Sequence, residues 1–240
     1  MNEDVMLQID KLNKMFNGIP VIEKLSLRLM KGERMALFAP SGAGKTTLMR
    51  ILAGLETPES GTVTLHDEQP AVIFQEPRLF PFLTVEENIF LPFKAMKHEV
   101  TADIRERYQR WLEVCELTSC GKYYPTQLSG GMKQKVSIIR AMLPQPGFVL
   151  MDEPFQSIGF EAKQAIIEFL LDENPNLSCL FITHLPEEIP MMAHSVLVFQ
   201  HQCLCQGVEM PAEAFSNTEI NFPNPVRVTT LDKSGIKFDF

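Results

Sequence analysis

An α/β fold with a mainly parallel sheet, a small antiparallel β layer and an inserted helical subdomain is predicted by three observations. Apolar runs of strand length alternate with stretches of helical periodicity over the middle and later parts of the chain. Before Met30 the pattern differs, alternating polar with apolar residues on both sides of Asn17-Gly18. Between the two regions, a glycine-rich loop stands after a short strand and before a helix.

Taken in order, Val5 to Ile9 and Val21 to Leu29 alternate around Asn17-Gly-Ile-Pro20, which predicts antiparallel strands meeting at a turn. Arg34 to Phe38 reads as a short buried strand. Leu48, Ile51, Leu52 and Leu55 fall at i, i+3, i+4 and i+7, predicting an amphipathic helix that stops near Gly54 and Pro58. Gly61 to Leu65 is a further short alternating strand. From Phe80 to about Leu128 the composition becomes helical, charged and aromatic. There Ile104, Tyr108, Trp111, Leu112 and Cys115 form one apolar stripe, the spacing of a packing face more than of a cofactor box.

The α/β pattern then resumes. Phe148 to Met151 is a buried strand, Ala162, Ala165, Ile166, Phe169 and Leu170 mark a helix, and Leu177 to Thr183 and Val196 to Phe199 are further strands. Val226 to Thr230 and Ile236 to Phe240 alternate around Asp232-Lys-Ser-Gly235 and read as a β-hairpin. The domain organisation expected is one α/β domain over 1–207, with the helical subdomain at about 80–128 inserted, and a C-terminal extension over 208–240.

The 240 residues suffice to bury one large core, and 45% hydrophobic residues is ordinary for a globular chain. No apolar run approaches the roughly 20 residues that span a bilayer. Glu3 and Asp4 near the start do not fit a signal peptide, so the expected location is the cytosol, with any membrane association supplied by a partner. A net charge of −8 argues against a general nucleic-acid coat, which needs a basic face. The five cysteines, Cys115, Cys120, Cys179, Cys203 and Cys205, show no C-x-x-C spacing. Reduced, structural thiols are expected, with a soft-metal role for Cys203 and Cys205 as the alternative.

The most specific signal is Ala39-Pro-Ser-Gly-Ala-Gly-Lys-Thr46, which matches G-x-x-x-x-G-K-[ST] in all but its first position. Such a loop directs backbone N–H groups and the positive end of a helix dipole at one point, and so binds polyanionic phosphate. Pro40, Ser41, Gly42, Ala43, Gly44, Lys45, Thr46 and Thr47 are the candidate nucleotide-binding residues. Lys45 would reach the outer phosphates and Thr46 would ligate Mg²⁺. Ala39 is tolerated in place of glycine only if φ stays negative there.

Asp152 and Glu153 follow a buried strand, where ligands of open α/β sheets sit. Asp152 is the candidate Mg²⁺ ligand and Glu153 the group that polarises an attacking water. His184 also ends a strand, placed to hydrogen-bond the γ-phosphate and orient that water. Gln75 follows the Ala71 to Phe74 run, and its amide oxygen suits Mg²⁺ or water; an exposed loop residue is the plain alternative. Leu128-Ser-Gly-Gly-Met132 opens a helix. Ser129 is a good N-cap, and Gly130 and Gly131 leave a second anion-binding helix end. A dimer that pairs the loop of one subunit with the helix end of the other would use both ends on one triphosphate.

In order and separation, the loop, Gln75, Leu128-Ser-Gly-Gly131, Asp152-Glu153 and His184 resemble the ATP-binding cassette (ABC) ATPase family, over about residues 5 to 207. The resemblance implies a P-loop NTPase core, ATP with Mg²⁺, and a dimer around nucleotide. It also places Phe16 as the aromatic residue that stacks on adenine, though a core or turn aromatic reads the same in sequence. Phe74-Gln-Glu-Pro-Arg-Leu-Phe-Pro-Phe-Leu-Thr-Val-Glu-Glu-Asn-Ile89 is similar to ATPase subunits of importers for nitrate, taurine, alkanesulfonates and thiamine precursors. That implies a motor subunit peripheral on the inner face of the cell membrane. Its partners would be a second cassette, a transmembrane permease and, indirectly, a solute-binding protein, with no nucleic acid. A degenerate cassette that regulates an active sibling is the alternative, and a soluble cassette acting on DNA or ribosomes fits less well. The chain departs from the family at Ala39, at Gly159 where an interface aspartate is usual, and at Leu185 where an aspartate follows the histidine.

Overall fold

Two consecutive residues of positive φ, Asn17 at 50° and Gly18 at 79°, turn the chain between β1 (Val5–Phe16) and β2 (Ile19–Met30). A type I′ turn needs left-handed backbone at both central positions, which asparagine and glycine tolerate best. Both strands are longer than the alternation predicts. Lys11 and Lys24, each at φ 48°, lie where the register of the pair shifts, and a bulge changes the phase of the alternation on its far side. The computed structural model describes residues 4–66, 69–199, 203–205 and 207–215 in full, and the backbone strands at 227–232 and 235–239.

The chain continues through β3 (Arg34–Phe38), α1 (Lys45–Leu52), β4 (Ser60–Leu65), β5 (Ala71–Ile73), α2 (Val85–Ala95), α3 (Ala102–Val114) and α4 (Gly130–Met142). After these come β6 (Phe148–Asp152), α5 (Phe160–Glu173), β7 (Ser178–Ile182), α6 (Glu188–Met192), β8 (Ser195–Val198), β9 (Val208–Pro211) and α7 (Ala212–Phe215), then β10 (Arg227–Asp232) and β11 (Gly235–Asp239). Two compact units divide them: Met1–Gln69 with Ser178–Phe240, and Pro70–Leu177.

In the first unit, β1 is flanked by β2 and β4 in an antiparallel sheet. The parallel core has β3 between β7 and β8, and β9 adds antiparallel to β8. Met35, Ala36, Leu37, Leu180, Phe181 and Val196 are fully buried, as continuous apolar strands covered on both faces should be. The sheet does not stop at residue 207, where the sequence places the domain end: β9 lies beyond it, and Phe215 of α7 meets the Phe38 ring edge-on at 5.0 Å. Leu48, Ile51 and Leu52 of α1 are buried as predicted, but Leu55 is 50% exposed and outside the helix. Gly54, at φ 70°, ends the helix with N–H bonds from Gly54 to Ile51 O and from Leu55 to Arg50 O, and the reversal leaves Leu55 outside.

In the second unit, β5 and β6 pair in parallel. Thr84 and Glu87 close a capping box at the start of α2, and Thr101 caps α3. The predicted stripe on α3 is a packing face: Tyr108, Trp111 and Leu112 are buried, and Trp111 meets Phe169 of α5 edge-on at 4.8 Å. The helical stretch predicted for 80–128 contributes α2 and α3 to this wider unit. Farther along the chain, β10 and β11 form an antiparallel pair, with Val228 opposite Phe238; residues 226, 233, 234 and 240 of the predicted hairpin lie outside the described residues.

All five cysteines are free. Burial pushes the Cys115 thiol up to about 12 and raises that of Cys179 further, which suits inert structural thiols. Among the described residues no three His, Cys, Asp or Glu side chains gather as a metal site, so the soft-metal reading of Cys203 and Cys205 gains no support. No helix among the described residues is long and apolar enough to cross a membrane.

Candidate nucleotide and catalytic site

The first unit holds the phosphate loop. It runs from the end of β3 into α1, whose N-terminal turn begins at Gly44 and receives no side-chain cap. Gly42 and Gly44 have φ of 80° and 94°, and a Cβ on Gly44 would come within 2.6 Å of the Val21 carbonyl oxygen, so glycine is required there twice over. Ala39 is not among the residues of positive φ. Alanine therefore adopts its backbone without strain, which explains why the departure from glycine leaves the loop intact. Lys45, 9% exposed, folds back so that Nζ donates to Ala39 O at 2.7 Å and Pro40 O at 2.9 Å. These bonds are charge-assisted through the ammonium alone, and phosphate oxygens in the place of the carbonyls would make both partners ionised. Ser41, Gly42 and Thr46 are exposed, and Ala43 packs inward.

His184 belongs to the same unit. β7 runs parallel beside β3 with Leu37 opposite Ile182, so two residues later Ala39 and His184 leave the same end of adjacent strands. The turn that carries exposed His184 is pinned on both sides. Thr183 Oγ1 accepts from the Leu185 N–H at 3.0 Å and donates to the buried Glu188 carboxylate at the start of α6. Phe16, at the end of β1, keeps 45% of its surface exposed and has Lys14 Nζ 5.1 Å from its ring centroid.

The second unit holds the carboxylates. β5 and β6 are in register at Ile73 and Met151, which brings Gln75 and Glu153 to the same end of the pair. Asp152 is 3% exposed, and Glu153 is half-buried with a left-handed φ of 47°. For a residue other than glycine that backbone costs on the order of 1–2 kcal/mol, strain of a kind that collects at functional sites. Gln75 Nε2 donates to Glu153 Oε2 at 3.3 Å and to Gln156 Oε1 at 3.2 Å. With both amide hydrogens committed, Gln75 presents its oxygen as the remaining ligating atom.

Ser129 caps α4, its Oγ accepting from the Met132 N–H at 3.3 Å. The two glycines that follow differ. A Cβ on Gly130 would meet nothing within 4 Å, whereas one on Gly131 would lie 2.5 Å from Ser157 O. Gly159, the N-cap of α5, supplies no side-chain cap. Three features escape sequence reasoning: Gln156, the Thr183–Glu188 clamp and Gln134. Only Gln134 leaves a trace, as a polar residue four before Ile138 on the apolar stripe of α4.

A phosphate cradle between strand and helix, with an acidic pair and a glutamine at parallel strand ends, defines a nucleoside-triphosphate-handling α/β protein. The family profile described as ABC transporter matches residues 22–156, and the chain belongs to that family. ATP and Mg²⁺ are the ligands of that family. A sulfate/thiosulfate import ATP-binding protein, CysA, of Synechococcus elongatus is 34% identical, over 93% of this chain and 69% of its own length. The protein of the same description from Pectobacterium atrosepticum is 31% identical, over 90% and 70%. Among solved structures, an ATP-binding subunit of an ABC transporter superposes with a TM-score of 0.76 at 26% identity, over 86% of this chain and 90% of that one. A dimeric ATP-binding cassette in a post-hydrolysis state, bound to ADP and Pi, shares the fold with a TM-score of 0.75 at 24% identity, over 86% and 99%. The nitrate and sulfonate group expected from the Phe74 to Ile89 segment is thus right as an importer ATPase and only roughly right as a solute group.

Proposed function

We propose that this chain is the ATP-hydrolysing subunit of an importer whose solute is a small oxyanion of the sulfate and thiosulfate kind. The solute class is supported by the relatives named above. The motor dimerises with itself or a related cassette around ATP and works on the inner face of a membrane against a permease, to which a binding protein delivers the solute.

The residue roles follow from chemistry. The loop from Pro40 to Thr47 takes the phosphates, Lys45 pairs with the outer ones, and Phe16 offers a face to the base. Thr46, Gln75 and Asp152 supply a hydroxyl, an amide oxygen and a carboxylate, the all-oxygen donor set that a hard cation takes. Mg²⁺, when bound, neutralises charge on the β- and γ-phosphates. Glu153 accepts a proton from water as its oxygen bonds to the γ-phosphorus and the bond to the β,γ-bridging oxygen breaks, leaving ADP and inorganic phosphate. His184 holds the γ-phosphate, and Ser129, Gly130 and Gly131 bind it from the second subunit.

The observation that carries hydrolysis, as against nucleotide binding alone, is the strained Glu153 in hydrogen-bond contact with Gln75 at the end of β5 and β6. Glu153→Gln keeps size and shape and removes the base. Steady-state phosphate release should fall at least about a hundredfold with nucleotide affinity retained. A variant that kept more than about a tenth of wild-type turnover would overturn that role for Glu153, and a wild type without turnover would make this a binding or regulatory cassette.

A further inference from the structure

Gln134 lies on the buried side of α4, 2% exposed, on the helix that also buries Val136, Ile138 and Ile139. A primary amide there is costly unless it is bonded. Its Nε2 donates to Pro154 O at 3.0 Å and to Phe74 O at 3.4 Å. These carbonyls belong to the residue after Glu153 and the residue before Gln75. The amide oxygen Oε1 is buried and has no hydrogen-bond partner, so the site tolerates an orphan acceptor for the sake of the two donors. One turn earlier, Gly131 approaches Ser157 O so closely that a Cβ would sit 2.5 Å from it. The first turns of α4 are therefore fixed to the 153–157 loop at two points, and to the Gln75 segment at a third.

We propose that Gln134 is a positioning residue that sets the spacing between Gln75 and Glu153 and couples it to the Ser129 end of α4. The inference rests on the roles given above to Gln75 and Glu153, and it names how that pair is regulated. The Gln75–Glu153 contact, at 3.3 Å, is near the long limit of a hydrogen bond, so a small separation of the two strand ends breaks it. Gln134 bonds to the backbone on both sides of that contact, and the helix it stands on begins at the anion-binding end. A phosphate arriving at Ser129 moves α4, and Gln134 passes the displacement to both members of the pair. This link does not run through Gly159, which has no side chain with which to signal.

The test is ATP hydrolysis against Mg²⁺ concentration for wild type, Gln134→Leu, Gln134→Glu and Gln75→Leu, with melting curves and binding of a fluorescent ATP analogue in EDTA. Gln134→Leu should bind the analogue within about twofold of wild type, because the phosphate loop is untouched. Its kcat should fall, and its half-saturating Mg²⁺ rise, by about threefold to thirtyfold, the range of a coupling residue. Gln75→Leu should move in the same direction. Gln134→Glu regains one O–H donor when its buried carboxyl is protonated, so its kcat relative to wild type should climb as pH falls from about 8 to about 6. Packing alone would lower the melting temperature and the binding-competent fraction without moving the Mg²⁺ dependence. If Gln75→Leu departs from wild type while the Gln134 variants keep its Mg²⁺ dependence and kcat, the coupling role is overturned. If Gln75→Leu is itself indistinguishable from wild type, the assignment of Gln75 falls and takes this inference with it. Should the leucine variant not fold, the glutamate variant at the alkaline end, charged and without the donor, makes the same comparison.

Discussion

Lys45 reaches the Ala39 and Pro40 carbonyls in this structure, and that contact bears directly on how it binds nucleotide. Phosphate would give Nζ an ionised acceptor, and a hydrogen bond between two charged groups contributes about 1.5–3 kcal/mol. Lys45→Ala should therefore weaken binding of a fluorescent ATP analogue by about ten- to a hundredfold while leaving the melting temperature close to wild type. Unchanged affinity would mean the loop no longer reads phosphate. Most of the candidate residues were legible because their chemistry is tied to spacing: the loop's glycines, its lysine and the acidic pair announce themselves. Gln134 and Gln156 did not. A glutamine's partners are backbone carbonyls and amides from distant segments, and nothing in its own neighbourhood encodes them.

Elements are joined at positions where one atom too many would not fit, and α4 gives a direct contrast. Gly131→Ala places a methyl 2.5 Å from Ser157 O and should cost about 1–3 kcal/mol in denaturant unfolding, with turnover reduced as the 153–157 loop yields. Gly130→Ala meets open space and should be close to neutral in stability. Equal stability of the two variants would count against the close approach. A second junction is electrostatic. The Lys14 ammonium donates to Glu56 at 2.9 Å and to Thr57 O at 2.8 Å, holding β1 to the segment between α1 and β4. That hydrogen bond, with the nearby charges of Lys14 and Arg50, keeps the Glu56 carboxyl below its usual value. A depressed carboxyl contributes stability that is present above its unfolded value, about 4.5, and is lost as pH falls through the lower folded one. Glu56→Gln should thus lower the melting temperature at neutral pH, and the gap to wild type should close as the solution is acidified below that range. A gap that stays constant with pH would assign the effect to packing.

On the function proposed above, the working unit is a pair of cassettes. One triphosphate would engage two anion-binding helix ends, Gly44-Lys45 of one cassette and Ser129-Gly130 of the other, whether that second cassette is a copy of this chain or a relative. Light scattering of Glu153→Gln with ATP and Mg²⁺ should give a dimer, and of the protein without ATP a monomer. Adding Ser129→Arg replaces the cap with a large side chain and should restore the monomer while the analogue still binds the phosphate loop. A Glu153→Gln protein that stays monomeric with ATP would point to Gly159 and Leu185, where the aspartates usual in the family are missing, and to a different cassette or the permease as the missing partner.

By itself the sequence determined the fold class, the parallel core and the nucleotide chemistry, because periodicity and motif spacing are local and survive without neighbours. It also foretold the Asn17-Gly18 turn and the packing stripe on α3. It misjudged Leu55, since an amphipathic pattern runs on past a helix that Gly54 has already ended. It shortened β1, since the bulge at Lys11 resets a period of two. Only the tertiary structure decided that Ala39 needs no positive φ, that Gly131 must lack a side chain while Gly130 need not, and that Gln134 ties α4 to the backbone beside Gln75 and Glu153. These depend on approach distances between segments far apart in the chain, and such distances exist only once the chain has folded.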